Sequence, residues 1–399
     1  MISISGVFTI RIVGQANPGM TAMKLNRRDF IQMTSVSTVA ALAAPALFAA
    51  NSAETVYTDS IVIDGLGFPG GRQQSEGATL NALELEDIRK SGLTATHFTV
   101  GEVGTMPSLK AFERIVVVIT ENEQLIDSNP EILARVRTVD DIRAAKGSGR
   151  TGFIYGLQDG VSFEDDLDRL TALSRLGIRV IQPTYNRRNL LGDGCMEPSD
   201  AGLSRDGVSA IEQMNELGIL VDLSHCGRKT AADAIAASNK PVSFTHSGCY
   251  ALAEHPRHRT DAEIKAIADG GGVIGMYIMP YLAKGKQPTA ADLIAHLDHA
   301  INVGGEDHVA LGTDGAISPQ EITDEFREQF RKNTRQRKEL GIAAPFETEE
   351  GYLFANDLNT PRRFETLTDM LLARGYSEDR VEKILGTNLL RLFGDVWTG

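Results

Sequence analysis

Two short apolar segments, each followed directly by a histidine, constrain this chain more than any other feature. The first is Val221–Ser224, followed by His225, and the second is Pro241–Thr245, followed by His246. When consecutive segments of this kind form neighbouring parallel strands, their carboxyl ends lie at one edge of the sheet or barrel. The two imidazoles would then lie close together, and imidazole nitrogens are common ligands of zinc. The pattern therefore predicts a metal site.

Apolar or β-branched runs of strand length alternate with amphipathic stretches of helix length along most of the chain. Eight such runs are compact enough to be strands buried on both faces. Because strand and helix alternate throughout, we predict a single (β/α)8 TIM barrel of the metal-dependent hydrolase type. An open doubly wound sheet is the competing fold, but no G-x-G-x-x-G motif follows an early strand. The predicted strands are Ser60–Asp64, Ala95–Val100, Gly152–Leu157, Val180–Thr184, Leu220–Ser224, Pro241–Thr245, Val273–Tyr277 and His308–Gly312.

The barrel is expected to occupy residues 53–399, with an elaborated segment at 316–360. This segment is rich in charged side chains and follows the last strand, where barrels carry the loops of their mouth. We interpret it as a helical lid or a dimer contact. A second elaboration, Leu109–Val136, is predicted to be a long and largely helical connection.

The first 52 residues resemble an export signal rather than part of the fold. Arg27 and Arg28 form a twin-arginine pair ahead of an Ala-rich run that carries no charge and ends in small residues. Residues 1–22 are interpreted as a mis-assigned start, because Met23 is a natural first residue for such a signal. Since Pro45 interrupts the run, no transmembrane span is expected, and a periplasmic location is predicted. The alternative is a cytoplasmic protein with an Ala-rich tail.

The net charge of the chain indicates which classes of molecule the protein is expected to bind. The formal net charge is -13 at pH 7, and binding to phosphate backbones requires clustered Lys and Arg. Nucleic acid is therefore not expected as a partner, and a small molecule is. Three cysteines, Cys195, Cys226 and Cys249, are too few for a disulfide framework in a chain of this length.

Four motifs resemble those of one known family. Val221–His225, Thr245–Ser247, His255–Arg257 and Leu311–Asp314 are similar in order and spacing to motifs of the membrane (renal) dipeptidases. These are zinc peptidases within the amidohydrolase barrel superfamily. The resemblance runs from about Ile61 to Trp397.

The resemblance implies a role for each motif residue. His225 and His246 correspond to the histidines that hold one zinc of a binuclear pair. Arg257 corresponds to the arginine that pairs with the substrate's terminal carboxylate, and Asp314 to the aspartate that handles the proton of the attacking water. The family also implies a homodimer.

This sequence departs from the family at the other metal position. Leu66 and Phe68 stand where the first strand normally supplies His-x-Asp, and neither side chain can bind a metal. Gln158 stands at the position of the bridging carboxylate, and Tyr185 replaces a histidine expected near the developing oxyanion. We therefore predict one zinc rather than two, held by His225 and His246. The candidate additional ligands are Gln158, Asp159, Asp314 and Cys195.

The predicted function is a periplasmic metal-dependent hydrolase that cleaves a dipeptide or a small amide with a free carboxylate. Asp314 is the predicted acid/base, and Tyr185 and Asn186 are predicted to contact the substrate. One alternative is a non-hydrolytic tailoring enzyme that modifies a peptide-like metabolite with the help of Tyr185 or Cys195. Another is a catalytically silent protein that binds a small molecule in the same cavity.

Overall fold

The computed structural model describes residues 53–71, 80–104 and 106–397. The predicted export signal, residues 1–52, lies outside these ranges. Within them, no helix is both long enough and apolar enough to cross a membrane.

Strands and helices alternate along the described chain, in the pattern expected from the sequence. The strands are β1 Ile63–Asp64, β2 Gly67–Phe68, β3 Ala95–Thr99, β4 Leu133–Arg135, β5 Thr151–Leu157, β6 Ile178–Ile181, β7 Leu220–Val221, β8 Ser243–Cys249, β9 His258–Arg259, β10 Val273–Met276, β11 Val309–Leu311 and β12 Gly315–Ala316. The helices are α1 (residues 53–59), α2 Ala82–Ser91, α3 Ser108–Ser128, α4 Val139–Ser148, α5 Arg169–Leu176, α6 Arg205–Leu217, α7 Arg228–Ala237, α8 Asp261–Asp269, α9 Ala290–Gly304, α10 Asp324–Glu339, α11 Arg363–Ala373, α12 Glu378–Glu382 and α13 Asn388–Val396.

Eight parallel strands form the predicted barrel, which is confirmed. The ladder runs without a break through β1, β3, β5, β6 and β7, and again through β8, β10 and β11. Between β7 and β8, Asp222 bridges to Ser243. Between β11 and β1, the Gly65 N–H donates to the Leu311 carbonyl at 2.9 Å. These two seams join the two ladders into a closed ring.

Each of the eight predicted strands overlaps an observed strand, although the bounds of some strands differ. The predicted strand Val180–Thr184 is observed as β6, Ile178–Ile181. It ends before Pro183, which has no N–H to continue the ladder. The predicted connection Leu109–Val136 is largely helical, as expected. Its helix ends at Ser128, and Leu133–Arg135 form β4, which pairs with the start of β5.

The bottom of the barrel is filled by apolar side chains and covered by the last helix. Seven strands contribute to this layer, and α13 packs its Leu389, Leu392 and Phe393 against it. Filling of this kind makes the barrel a packed core rather than a channel. The opposite end, where the strands' carboxyl ends lie, is left for a site. The strand residues of the layer are Ile63, Ala95, Ile154, Val180, Leu220, Val273 and Ala310.

A buried aspartate holds each of the two seams. At the β7–β8 seam, Asp222 Oδ1 accepts the Thr245 N–H at 2.9 Å and Oδ2 accepts the Thr245 hydroxyl at 2.6 Å. At the β11–β1 seam, Asp64 makes the same two bonds to Thr313, at 2.7 and 2.6 Å. Both pairs join strands through side chains where the backbone ladder is interrupted. We call them the two Asp–Thr clamps.

The Asp64 clamp gives a test of how the fold depends on pH. Burial raises the pKa of Asp64 to about 7, against an opposing effect of the Thr313 hydrogen bonds. Its ordinary pKa is 3.8, so the folded chain binds this proton more tightly than the unfolded chain. The resulting stability is fully present below the unfolded pKa and is lost as the pH rises through about 7.

The variant Asp64→Asn cannot titrate at this position. The free energy of unfolding of the wild type, minus that of Asp64→Asn, should therefore fall by on the order of 2 kcal/mol between pH 5 and pH 8. Urea unfolding of both proteins at the two pH values measures this difference. A difference that stays constant would show that Asp64 is ionised in the fold throughout this range.

Candidate active site

His225 and His246 meet at the mouth of the barrel, as the sequence predicts. His225 follows β7 after three residues and His246 lies within β8. Their Nε2 atoms are 3.1 Å apart, and the Gln158 side-chain nitrogen lies 3.2 Å from the His246 Nε2. Both imidazoles are buried. The three side chains therefore point at one common position.

The hydrogen bonds at the other ring nitrogens determine the proton positions. The Asn186 amide donates to the Ile342 carbonyl at 2.9 Å, so its oxygen faces His225 Nδ1, 2.7 Å away, and accepts a proton from it. The Thr245 hydroxyl donates to Asp222, so it accepts from His246 Nδ1 at 2.8 Å. When neutral, each imidazole thus presents a bare Nε2 lone pair.

Two bare lone pairs at this separation repel each other unless a cation lies between them. Burial lowers the pKa of His225 well below its usual range, and the positive charge of Arg257 adds to the effect. A neutral, unprotonated Nε2 is the form that binds a metal ion. The donor set therefore fits a zinc ion bound by two imidazoles, with the Gln158 amide oxygen brought in by rotation of its side chain.

The described residues contain no group of three or more His, Cys, Asp or Glu side chains arranged to hold a metal ion. Leu66 is fully buried, and Phe68 lines the mouth cavity. Neither carries a metal-binding atom at the position where the resemblance places the second zinc. Two of the proposed additional ligands also point elsewhere.

Asp159 accepts hydrogen bonds from the Gly104 N–H at 2.9 Å and from the Asn189 amide at 3.0 Å. Cys195 lies 3.4 Å from the Asn186 amide oxygen, on the Nδ1 side of His225. Burial raises the pKa of the Cys195 thiol, which favours the protonated form that does not bind metal. The structure does not bring these two side chains to the Nε2 atoms.

The Asp222 clamp positions both histidines. Besides Thr245, its Oδ1 accepts the hydroxyl and the N–H of Ser224, at 2.6 and 3.1 Å. The Ser224 hydroxyl in turn accepts the His246 N–H at 3.1 Å. The residues directly before His225 and His246 are thus bound to one carboxylate. Partners of this kind fix the orientation of metal-binding rings.

Arg257 lies beneath the two histidines and is 2% exposed. Its guanidinium donates to the Ser224 carbonyl, and through Nη2 to the His246 carbonyl at 3.4 Å. The side chain therefore braces the backbone of both histidine-bearing strands, although it also contributes to the cavity wall.

Asp314 and Tyr185 complete the set of predicted site residues at the mouth. Asp314 follows the clamped Thr313 and takes a positive φ of 51°, which is unusual for a residue with a side chain. It lines the cavity together with Tyr185 and Asn186. The Tyr185 ring stacks on His225 with 4.1 Å between ring centroids. The predicted residues His225, Asn186, Tyr185, Arg257, Gln158 and Asp314 therefore share one cavity.

The cavity has a volume of about 350 Å³, and much of its roof comes from residues 318–354, which we call the lid segment. Helix α10 within it turns Phe326, Phe330, Thr334 and Arg337 toward the cavity. The sequence analysis missed these residues. Their spacing of four, four and three residues on an otherwise charged helix is the signal that could have found them.

The Asp222 clamp predicts a stability difference between two substitutions at Thr245. Thr245→Val keeps the shape but removes the hydroxyl, so Asp222 Oδ2 loses its hydroxyl donor and His246 Nδ1 loses its hydroxyl acceptor. Buried groups left unpaired cost about 1–3 kcal/mol. Thr245→Ser keeps the hydroxyl and is the matched control. Urea unfolding should rank wild type above Thr245→Ser and both well above Thr245→Val; a Thr245→Val protein at least as stable as Thr245→Ser would show that the hydroxyl bonds do not stabilise the seam.

Comparisons with known proteins agree with this architecture. The sequence profile of the membrane dipeptidase family (peptidase family M19) matches residues 50–327. An amidohydrolase from Pseudomonas aeruginosa of known crystal structure is 36% identical, with a TM-score of 0.73 over 86% of this chain and 99% of its own. A metallopeptidase from Rhodobacter sphaeroides, solved with a phosphinate mimic of the dipeptide L-Ala-D-Ala, shares the fold at 20% identity and a TM-score of 0.68, over 85% of this chain and all of its own.

Dipeptidase verJ of Clonostachys rogersoniana is 28% identical over 274 residues, 68% of this chain. This chain spans 62% of that relative's length. The family profile covers well over half of the chain, and the resemblance drawn from the four motifs is confirmed. The chain therefore belongs to the membrane dipeptidase family, peptidase family M19.

Proposed function

We propose that this protein is a zinc-dependent hydrolase that cleaves a dipeptide, or a small amide with a free carboxylate. One observation carries the proposal: two imidazole nitrogens face each other at 3.1 Å, while the Nδ1 atom of each ring is bound to an acceptor. Family membership and the dipeptidase names of its relatives support the same activity.

We infer that the site holds one zinc ion. His225 and His246 would bind it, and Gln158 is the nearest additional ligand. When bound, zinc would polarise the carbonyl of the scissile bond and lower the pKa of a water molecule. The apolar Leu66 and Phe68 support a count of one, because they offer no donor at the second position.

The chain's own residues would perform the remaining chemistry. Asp314, which lines the cavity, would take a proton from the attacking water and return it to the leaving amine. Tyr185 covers one face of His225, which limits the directions from which substrate can approach. Because the cavity is roofed by the lid segment, charges inside it are screened less than in open water.

Zinc content and hydrolysis test the proposal together. The variant His246→Ala should lose its zinc, and its hydrolysis of apolar dipeptides should fall below about a tenth of the wild-type rate. His299→Ala is the matched control, because His299 bonds Asp261 at 2.7 Å on the outside of the barrel. Plasma mass spectrometry of the purified proteins gives the zinc count. Two zinc ions per wild-type chain would refute the single-ion site, and full zinc content in His246→Ala would refute the ligand assignment.

We also propose that the protein is exported to the periplasm by its twin-arginine segment and acts there as a homodimer. The support for export is the pair Arg27 and Arg28 ahead of an uncharged Ala-rich run. The support for a dimer is family resemblance alone.

Replacing both Arg27 and Arg28 by lysine should keep the precursor in the cytoplasm at its full length. Arg89→Lys, at an exposed position on α2, is the control and should leave export unchanged. Fractionation of cells followed by immunoblotting separates the two results. Processed periplasmic protein from the double lysine variant would contradict twin-arginine export.

A further inference from the structure

The lid segment brings a second arginine to the mouth. Arg337, on the last turn of α10, lines the same cavity as Tyr185, Asn186 and His225. It also interacts with Tyr185, whose ring stacks on His225. A guanidinium therefore lies close to the metal-binding position on the substrate's side.

Arg337 is held in place by one buried carboxylate. Its Nε and Nη2 donate to the two oxygens of Glu347, at 2.8 and 3.0 Å, and Nη2 also reaches the Ile342 carbonyl at 3.3 Å. Glu347 is fixed in turn by the Tyr281 hydroxyl at 2.8 Å. The Arg337 side chain also hydrogen-bonds Tyr185 at the cavity wall. One edge of the guanidinium is thus anchored by Glu347, and a ligand carboxylate would bind beside the Tyr185 hydroxyl.

The two arginines of the cavity differ in what they can still bind. Arg257 is 2% exposed, and its two terminal nitrogens donate hydrogen bonds to the backbone carbonyls of Ser224 and His246. The Arg337 side chain is 29% exposed. A carboxylate of the substrate would have to displace two backbone bonds to reach Arg257, whereas Arg337 already faces the cavity.

The wall beside Arg337 is aromatic. Phe326 and Phe330 stack at 6.1 Å on α10, and Tyr352 and Phe354 stack at 5.4 Å on the following loop. Phe326, Phe330 and Phe354 line the cavity. Such a surface binds a large apolar group through burial and ring contacts.

We propose that Arg337 binds the carboxylate of the substrate, and that the aromatic lid wall binds the apolar group attached to it. This inference rests on the proposed function and names its substrate class: a carboxylate bearing a large apolar side chain. Arg337 is then a specificity-determining residue that the lid segment adds to the barrel.

Binding without turnover tests this inference independently of hydrolysis. The probes are 3-phenylpropanoate, its amide 3-phenylpropanamide, and propanoate, titrated into zinc-loaded protein by calorimetry. Wild type should bind 3-phenylpropanoate at least about tenfold more tightly than either other probe. Arg337→Met should weaken binding of the acid about tenfold and leave binding of the amide unchanged.

The matched control is Arg335→Met, on the same helix. Arg335 pairs with Glu349 at 2.9 Å on the exposed face of α10, so this variant should bind all probes as wild type does. Arg337→Lys keeps a charge beside Glu347 and should give intermediate affinity for the acid. If Arg337→Met does not fold, the Arg337→Lys variant is measured in its place.

Three results would overturn the inference. They are wild-type affinity for the acid in Arg337→Met, an equal loss for acid and amide in that variant, and no detectable binding of the acid to wild type. Loss of acid binding in His246→Ala with none in Arg337→Met would assign the carboxylate to the metal instead. The expected binding pattern without any dipeptide hydrolysis would refute the proposed function and leave the carboxylate site standing.

Discussion

The Asp222 carboxylate is the interaction on which the mouth of this barrel depends. It lies at a seam where the backbone ladder between β7 and β8 is reduced to one bridge, and it accepts four hydrogen bonds from Ser224 and Thr245. Those two residues directly precede the two histidines. A single buried carboxylate therefore holds one of the two seams and orients both imidazoles toward one point. Without this carboxylate, the Ser224 and Thr245 donors would lose their acceptor. We therefore expect Asp222 to contribute more to the stability of the fold than the two histidines that it orients.

Asp64 repeats this arrangement at the opposite seam, so the barrel keeps this seam whether or not the side chains beside it bind a metal. Its clamp on Thr313 presents Asp314 as the Asp222 clamp on Thr245 presents His246. The backbone between the two halves is preserved too, since the Asp314 N–H donates to the Leu66 carbonyl at 2.7 Å. Leu66 and Phe68 thus occupy a framework that still has its hydrogen bonds. Under the proposed single-ion site, this half would keep its architecture without metal-binding side chains, as expected when function resides in side chains added to a stable scaffold.

The sequence was sufficient for the barrel and for the histidine pair, because both follow from local patterns. Each strand is a short apolar run, and the rule that strand ends share one rim places His225 beside His246. The clamps could not be predicted in this way. Asp64 and Thr313 are 249 residues apart, and no local pattern marks either as a partner of the other. Arg257 shows a second limit: a motif identifies the residue, but only the fold shows that its guanidinium binds backbone carbonyls. Arg337 could have been found, since Phe326, Phe330 and Thr334 mark the inward face of its helix, but the many charges of α10 obscure that pattern.

The lid segment and the metal-binding position are connected through Asn186. Its oxygen accepts a hydrogen bond from His225 Nδ1, and its nitrogen donates to the Ile342 carbonyl in the lid segment. One amide therefore connects the His225 imidazole to the lid segment. A second connection runs from the barrel through the Tyr281 hydroxyl to Glu347 and on to Arg337. Displacement of the lid segment would break the bond that orients the Asn186 amide, and would thereby weaken the hydrogen bond that fixes the His225 tautomer. The strands therefore supply the chemistry and the lid segment supplies selectivity, but neither is positioned independently of the other. A ligand bound against Arg337 would stabilise the same loop that keeps the His225 Nε2 lone pair directed at the metal-binding position.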